Sequence, residues 1–451
     1  MDFSDTICAI STPLGSGGIS VIKISGNNSL SVVEKMINRP ISDLTNRKLV
    51  LCKVKTKNFC DNALVVYYKA PHTYTGEELV EIQCHGGMYL AQGILDECIS
   101  CGARLAQNGE FTKRAFLNGK ISLDEAEGVI DMINAETESA VRAGYDLLNG
   151  ELKKRVKVLQ DKLTDIFAEI EVSLDYPEET IEFSSKKQIS IWIKECIENI
   201  DKLLDTYITG SMVKNGVRVA IVGAPNVGKS STMNSLLGYN RAIVTDIAGT
   251  TRDVLEENFI YKTIKFNLVD TAGIRESEDI IEKIGIERAY ENLKSADIIL
   301  FIIDSSVGID KEYKDLLDTL KGKKVLVCFN KVDLVQQIDN LKQLVGDFPY
   351  IEISAKNEQG IENLKEKLFS MVINSNIQNS FMITSSRHKE LLERAKNILS
   401  QCLTQINQNN LSLELINIDV VEAWNSIGEI TGETMAEDRI NTIFSKFCLG
   451  K

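Results

Sequence analysis

The chain has 451 residues, of which 43% are hydrophobic and 25% charged, and its formal net charge is −13. At about 150 residues per domain this length predicts three domains, and the ordinary composition excludes a disordered or collagen-like chain. The acidic balance argues against binding nucleic acid over the whole surface, so an RNA partner would need a local basic patch or another subunit.

No segment has the pattern of a membrane anchor or an export signal. Apolar runs such as Ile298–Ile303 are much shorter than the roughly 20 residues that cross a bilayer. Met1–Thr12 has no basic residue before its apolar stretch, and the ten cysteines are scattered along the chain. We therefore predict a cytoplasmic protein with reduced thiols and no membrane association.

Residues 1–118 alternate short β-type runs with glycine-containing turns. Ile19–Ile24, Ala63–Tyr68 and Leu79–Cys84 are rich in β-branched and aromatic residues. This pattern predicts an N-terminal α+β domain.

Helical spacing of apolar residues replaces this pattern over residues 119–210. One predicted stripe contains Leu123, Ala126, Ile130 and Ile133, and a later one contains Val156, Leu159, Leu163 and Phe167. Such spacing predicts long helices packed on one another.

Residues 211–378 contain apolar runs separated by helical or loop segments, which predicts a parallel sheet wrapped by helices. These runs are Val217–Gly223, Ile264–Asp270, Ile298–Asp304, Val325–Asn330 and Tyr350–Ser354. Helical spacing returns over residues 379–451. We therefore predict a multidomain α/β plus α chain in which a doubly wound domain is inserted into a helical domain.

A phosphate-binding motif follows the first of these runs. Gly223–Ser230 matches G-x-x-x-x-G-K-S/T and lies between an apolar run and the helix-like segment Ser231–Leu237. Its glycines allow backbone N–H groups to surround phosphate oxygens, Lys229 can reach the β and γ oxygens, and the Ser230 hydroxyl can bind Mg²⁺. The predicted phosphate-binding residues are Asn226, Val227, Gly228, Lys229, Ser230 and Ser231.

Three short motifs at later strand ends predict that the nucleotide carries guanine. Asp270 can hold Mg²⁺ through water, and the Gly273 N–H can sense a γ-phosphate. Asp333 can accept two hydrogen bonds from guanine N1–H and N2–H₂, which adenine cannot offer in that arrangement. A backbone N–H in Ser354–Lys356 would meet guanine O6. The motifs contribute Asp270, Thr271, Ala272, Gly273, Asn330, Lys331, Asp333, Ser354, Ala355 and Lys356. Together they resemble the motifs of a Ras-like GTPase domain.

One residue departs from the Ras pattern. The residue after D-x-x-G is Ile274, where Ras has a glutamine that orients the attacking water. Asn226 could instead help to hold a monovalent cation beside the phosphates, or it could only cap the loop. The predicted switch I is Thr245–Asp253, and Thr251 is its predicted Mg²⁺ ligand. The GTP contacts expected in this segment are Thr245, Asp246, Ile247, Ala248, Gly249, Thr250 and Thr251.

Blocks of sequence outside the nucleotide motifs resemble one family. They are Ser11–Gly26, Tyr74–Glu78, His85–Gly87, Gly109–Lys120 and Phe447–Lys451. With Thr245–Asp253 they resemble the MnmE (TrmE) family of tRNA modification GTPases over nearly the whole length.

This resemblance implies a homodimer built through the N-terminal domain, which would bind 5-formyl-tetrahydrofolate or a related folate. The residues matching the folate contacts are Lys23, Glu81, Lys120 and Lys451, although position 23 is commonly arginine in the family. It also implies that Glu282 positions the hydrolytic water. Potassium is expected near Asn226, Thr245, Ile247 and Thr250.

The resemblance further implies a reaction shared with a flavoprotein, MnmG (GidA), in a heterotetramer. Together they would add an aminomethyl-type (carboxymethylaminomethyl) group to carbon 5 of the wobble uridine of certain tRNAs. The folate would supply the one-carbon unit, and GTP hydrolysis would drive the coupled conformational change.

Several residues also have an ordinary interpretation. Cys448 is either a buried small hydrophobe or a thiol that takes part in modification. Glu282 alone would be a solvated carboxylate, and His85 a capping or packing residue. Two other functions compete: an RNA-binding switch in ribosome assembly, disfavoured because no RNA-binding module is appended, and a folate-dependent transferase with an idle nucleotide site, disfavoured because the guanine motifs are intact.

Overall fold

The computed structural model describes residues 5–13, 15–175, 184–238, 257–270, 295–307, 319–320, 322–335, 338–372, 381–407 and 413–450. The chain divides into two compact units. The first unit comprises Met1–Ile130, Asp146–Asn199 and Leu391–Lys451, and the second comprises Asp131–Tyr145 and Ile200–Glu390.

The elements have the following bounds. The strands are β1 (Ile7–Ile10), β2 (Ile19–Ser25), β3 (Leu49–Lys55), β4 (Cys60–Tyr68), β5 (Leu79–His85), β6 (Arg104–Leu105), β7 (Val217–Val222), β8 (Glu257–Tyr261), β9 (Ile264–Asp270), β10 (Ile298–Asp304), β11 (Val325–Asn330) and β12 (Tyr350–Glu352). The helices are α1 (Ser29–Glu34), α2 (Met88–Ser100), α3 (Glu110–Leu117), α4 (Leu123–Asn134), α5 (Glu138–Leu148), α6 (Glu151–Asp175), α7 (Ser184–Leu204), α8 (Tyr207–Asn215), α9 (Lys229–Leu237), α10 (Asp339–Leu344), α11 (Ile361–Val372), α12 (Ser386–Asn407), α13 (Leu413–Thr431) and α14 (Glu437–Phe444).

The first unit contains a sheet in the order β3-β4-β5-β2-β1-β6. Its pairs are antiparallel except for β1 and β6, which are parallel. The predicted strands β2, β4 and β5 are confirmed, with ends shifted by up to three residues. The strands β1, β3 and β6 were not predicted.

One face of this sheet is buried under α1 and α2. Side chains alternate along each strand, so Cys52 and Val54 of β3 are buried while Leu49 and Leu51 are exposed. The register places Leu51 opposite Leu64. We call the face that carries Leu49, Leu51, Leu64 and Ile19 the exposed sheet face; these four side chains are between 38% and 64% exposed.

The helices α6 and α13 pack on each other in the first unit. The buried face of α6 includes Val156, Leu159 and Leu163, as predicted. The prediction for Phe167 is wrong: its side chain is 37% exposed, and Ile166 is the buried residue at this turn. Where two adjacent residues are apolar, helical periodicity does not decide which of them faces the core.

The second unit contains a sheet in the order β12-β11-β10-β7-β9-β8, which is parallel except for the antiparallel edge strand β8. Every residue of β10 is buried, as expected for a central strand covered on both faces. Separate cores lie on the two faces, one containing residues of α9 and α11 and the other containing residues near α10. The predicted doubly wound fold is therefore confirmed.

Within the described residues, none of the helices combines the length and the apolar character needed to cross a membrane.

Candidate functional site

The phosphate-binding motif Gly223–Ser230, the P-loop, follows the carboxyl end of β7 and leads directly into α9. Gly228 has a left-handed backbone with φ +99°, and a Cβ at this residue would lie 2.3 Å from Asn330 Nδ2. Asn330 is itself buried, and both its Nδ2 and its Oδ1 are hydrogen-bonded, so its side chain cannot move aside without breaking those bonds. Only glycine fits here because both the backbone conformation and the space require it.

The lysine of the P-loop lies at the start of α9. Lys229 Nζ donates to the carbonyl oxygens of Gly223 and Ala224, each at 2.9 Å. Ser230 and Ser231 are exposed on the first turn of this helix. The ammonium group, the hydroxyls and the positive end of the helix dipole therefore lie together, which is the arrangement that binds phosphate.

Asn330 joins the P-loop to the loop that follows β12. Its Nδ2 donates to the Val227 carbonyl at 2.9 Å, and its Oδ1 accepts from the Ala355 N–H at 3.0 Å. The Ala355 carbonyl in turn accepts from Ser235 of α9 at 3.0 Å. The P-loop and the loop after β12 therefore lie next to each other.

Lys331 and Asp333 follow β11 at the same edge. Lys331 Nζ donates to the Asn226 carbonyl at 2.9 Å and to Asp304 Oδ2 at 2.6 Å. Asp333 is exposed in a short 3₁₀ turn, and Lys356 is exposed in the loop after β12. Sequence reasoning missed Asp304; the available signal was a carboxylate at the end of an otherwise apolar strand.

Part of the predicted nucleotide site lies outside the described residues. This holds for Thr245, Asp246, Ile247, Ala248, Gly249, Thr250, Thr251, Thr271, Ala272, Gly273 and Glu282, and for Lys451 of the predicted folate site. Asp270 is the last residue of β9, and its backbone lies beside Ile221 of β7. Those predictions stay predictions.

The predicted folate residues Lys23 and Glu81 are direct partners in the register of β2 and β5. Lys23 Nζ lies 5.7 Å from the centroid of the Tyr74 ring. The Tyr68 hydroxyl donates to Glu81 Oε2 at 3.4 Å, and burial together with Glu81 raises the pKa of Tyr68. A cation, a carboxylate and an aromatic ring therefore lie next to one another. Lys120 Nζ donates to the Pro71 carbonyl at 3.0 Å.

The segment around Cys448 is attached to the N-terminal sheet. Gly109 N–H donates to the Cys448 carbonyl at 3.2 Å, and Ser11 Oγ donates to the Gly450 carbonyl at 3.0 Å. Gly450 has φ +83°, and a Cβ there would lie 2.3 Å from the Ile10 carbonyl oxygen. The Cys448 side chain is exposed, so the interpretation as a buried hydrophobe is wrong.

His85 does not pack into the core, so the packing interpretation is wrong, and the capping interpretation stays a prediction. Its ring is 72% exposed, and Nδ1 lies 2.6 Å from Oδ1 of the buried Asp61. The other Asp61 oxygen accepts from the His85 backbone N–H at 3.0 Å. The carboxylate therefore holds the ring through Nδ1 while most of the side chain stays exposed.

A buried arginine holds the segment that contains Tyr74. Arg114 of α3 is fully buried and pairs with Asp5 at 2.8 Å, Glu110 at 3.0 Å and Glu77 at 3.2 Å. Glu77 also accepts from Ser25 of β2 at 2.8 Å. The network thus connects α3, β2 and the loop before β5.

The P-loop lies at the carboxyl edge of a doubly wound sheet, and the asparagine that ends β11 is followed by a lysine and an aspartate. These features define the class: a P-loop GTPase. Comparisons with known proteins extend this class. A family model described as GTP-binding protein TrmE N-terminus matches residues 6–120, and one described as MnmE helical domain matches residues 123–448. The chain belongs to the MnmE family of tRNA modification GTPases, and it is a GTP hydrolase.

Relatives match over the full length. The tRNA modification GTPase MnmE of Clostridioides difficile (strain 630) is 43% identical over 460 residues, which cover 100% of both chains. The protein of the same name from Thermoanaerobacter pseudethanolicus is 42% identical over 458 residues and 99% of each chain. Among solved structures, the FeoB G-domain from Methanococcus jannaschii is 29% identical, with a TM-score of 0.27 over 35% of this chain and 97% of that chain.

Proposed function

We propose that this chain is a potassium-activated GTPase of tRNA modification that acts in the cytoplasm. With the flavoprotein MnmG (GidA) it adds a carboxymethylaminomethyl-type group to carbon 5 of the wobble uridine of certain tRNAs, and a folate supplies the one-carbon unit. The observation that carries this proposal is full-length similarity to MnmE proteins. We assign residues 1–118 to folate binding and dimerisation, 211–378 to the GTPase domain, and 119–210 with 379–451 to the helical domain.

GTP would bind with its phosphates at the P-loop and its base at the β11 edge. Lys229 would exchange the carbonyl oxygens of Gly223 and Ala224 for phosphate oxygens, which carry more negative charge. Ser230 and Thr251 would hold Mg²⁺, and the ion would neutralise charge on the β and γ phosphates. The exposed Ser230 hydroxyl, one residue from Lys229, fits that role.

Potassium would bind beside the P-loop, with Asn226, Thr245, Ile247 and Thr250 as its residues. The described part of the site supports this through Asn226, which is exposed and has a left-handed backbone with φ +64°. Glu282 would position water, since Ile274 cannot.

We predict that GTP hydrolysis by the full chain falls about tenfold or more when K⁺ is replaced by Na⁺ at constant ionic strength, because a fixed cation stabilises transition-state charge. The initial rate of phosphate release measures this. Asn226→Ala serves as the matched variant, and it should lose the preference for K⁺. Equal rates of the wild-type protein in both salts would reject the cation site.

A folate fits the residues present in the first unit. Folates carry carboxylates on their glutamate tail and N–H donors on their pterin ring, so Lys23, Lys120 and Lys451 would pair with the tail and Glu81 with the ring. The adjacency of Lys23, Glu81 and Tyr74 supports a common site. When bound, the folate supplies a one-carbon unit. Lys23 in place of arginine keeps the charge but not the two-pronged hydrogen bonding.

The exposed sheet face supports the proposal of a homodimer. A row of exposed leucines on a sheet is a common feature of surfaces that associate with another chain. We propose that a second copy covers this face and that MnmG completes a heterotetramer with tRNA as the shared substrate. Because the chain is acidic overall, MnmG would provide many of the contacts that bind the tRNA phosphates.

Mass spectrometry of tRNA nucleosides from cells that lack the chain tests this function. The modified wobble uridine should disappear and return when the full chain is expressed. A chain lacking Cys448–Lys451 should hydrolyse GTP but fail to restore the nucleoside, because it lacks the segment attached to Ser11 and Gly109. Unchanged nucleosides together with defective ribosomal subunits would favour the assembly switch instead.

A further inference from the structure

Asp304, the last residue of β10, makes a compact set of contacts at the nucleotide edge. Its side chain is 9% exposed, and its Oδ2 accepts from Lys331 Nζ at 2.6 Å. Its Oδ1 accepts from the Ser306 backbone N–H at 2.9 Å and from the Ser306 hydroxyl at 2.6 Å. Both oxygens are therefore used, and the carboxylate has a fixed orientation.

The charge on Asp304 suits this set of contacts. Burial raises the pKa of Asp304, but the hydrogen bonds from Lys331 and Ser306 outweigh it and hold the pKa below its ordinary value. The group is consequently an anion at neutral pH.

The Asp304 carboxylate holds the Lys331 side chain in one orientation. Lys331 follows β11 with a left-handed backbone at φ +61°, and β10 and β11 are neighbours with Asp304 opposite Asn330. The ammonium group reaches back over the P-loop to the Asn226 carbonyl, 2.9 Å away. A lysine side chain otherwise samples many rotamers, and two acceptors on different loops restrict it to one path across the site.

We propose that Asp304 is a positioning residue for guanine nucleotide binding, because it holds Lys331 across the edge of the nucleotide site before the ligand arrives. Asp304 acts through Lys331 and does not itself contact the nucleotide. Pre-ordering a flexible side chain raises affinity by lowering the entropy lost on binding. The inference rests on the proposed assignment of Lys331 to the nucleotide site.

A purely structural role for Asp304 makes a different prediction. The Ser305 N–H donates to the Asn330 carbonyl at 2.9 Å, so the ends of β10 and β11 are already joined by the backbone. If Asp304 only supported this junction, replacing it would change nucleotide binding by the same amount whether or not the Lys331 side chain is present. A double-mutant cycle separates the two roles.

The experiment measures the dissociation of tritiated GDP from the full chain in the presence of Mg²⁺. Asp304→Asn should speed dissociation and weaken equilibrium binding about tenfold, which corresponds to about 1.4 kcal/mol. Ser306→Ala, which leaves the Lys331 contact in place, should change dissociation less than about threefold. In a protein that already carries Lys331→Met, Asp304→Asn should speed GDP dissociation by no more than about twofold.

Two results would overturn the inference. One is an Asp304→Asn protein that binds GDP as tightly as the wild type does. The other is an Asp304→Asn substitution that speeds GDP dissociation equally in the wild-type and Lys331→Met proteins. If Asp304→Asn does not fold, as judged by thermal unfolding, Asp304→Ser enters the cycle in its place. Failure of the wild-type chain to bind GDP would instead refute the proposed nucleotide site.

Discussion

Replacing Asp333 with asparagine is expected to weaken GTP binding by about two to three orders of magnitude and to improve binding of xanthosine triphosphate. The Asp333 carboxylate is exposed beyond β11, where it can accept from both guanine N–H groups. Hydrogen bonds to a charged group contribute about 1.5–3 kcal/mol each, and each 1.4 kcal/mol is tenfold in affinity. Asparagine would present an N–H group to guanine but can pair with the additional carbonyl of xanthine.

Competition between GTP and xanthosine triphosphate for the full chain measures this change in base preference. Asp339→Asn is a matched control, since Asp339 is 80% exposed on α10. It should leave the ratio of the two affinities unchanged. An Asp333→Asn protein that retains the wild-type ratio would show that another group reads the base.

Replacing Arg114 with methionine is expected to destabilise the N-terminal sheet by about 3–5 kcal/mol. Methionine fills much of the same volume but removes the buried charge that pairs with Asp5, Glu77 and Glu110. Arg104 still pairs with Asp5 and Glu110, but Glu77 loses its guanidinium partner. Breaking a buried ion pair by removing one partner costs about this much. Local opening would also release the loop that carries Tyr74.

Hydrogen–deuterium exchange of peptides covering β1 and α3 measures the effect of Arg114→Met. Arg39→Met is the control, because Arg39 is 48% exposed and lies 3.7 Å from Asp43; such a surface pair contributes about 1 kcal/mol or less. Exchange at β1 and α3 equal to that of the wild type would contradict the assigned role of Arg114.

The same network should make the N-terminal sheet sensitive to acid. Burial raises the pKa values of Asp5 and Glu110, but hydrogen bonds from Arg104 and Arg114 outweigh it and lower both. A carboxyl whose pKa is lowered by folding adds stability above its unfolded pKa. That stability is lost as the pH falls through the lowered value, so the penalty of Arg114→Met should shrink in acid.

Much of the second unit was predictable from sequence because its signals are local. The strand β10 is a continuous apolar run, and the P-loop is a contiguous motif between a strand and a helix. The strands β3 and β8 were missed for a physical reason. Each is an edge strand with one partner and a partly exposed surface, so charged or polar residues stand among its apolar ones.

The contacts that organise the sites were not predictable, because they join distant positions. Arg114 meets Asp5 across 109 positions, and Lys331 meets Asp304 across 27. No periodicity or motif links such residues before the chain folds. The predicted folate residues came from family resemblance for the same reason, and the register then placed Lys23 and Glu81 side by side.

The attachment of Gly450 to Ser11 has a consequence for biosynthesis. The two residues are 439 positions apart, and at about 5–20 residues per second a ribosome needs roughly 20–90 seconds to make the intervening chain. Until the last residues are made, Ile10 lacks its contact with Gly450 and Gly109 lacks its contact with Cys448. A nascent polypeptide that stalls beyond the GTPase segment and before residue 448 therefore carries the whole P-loop while still lacking the thiol of Cys448.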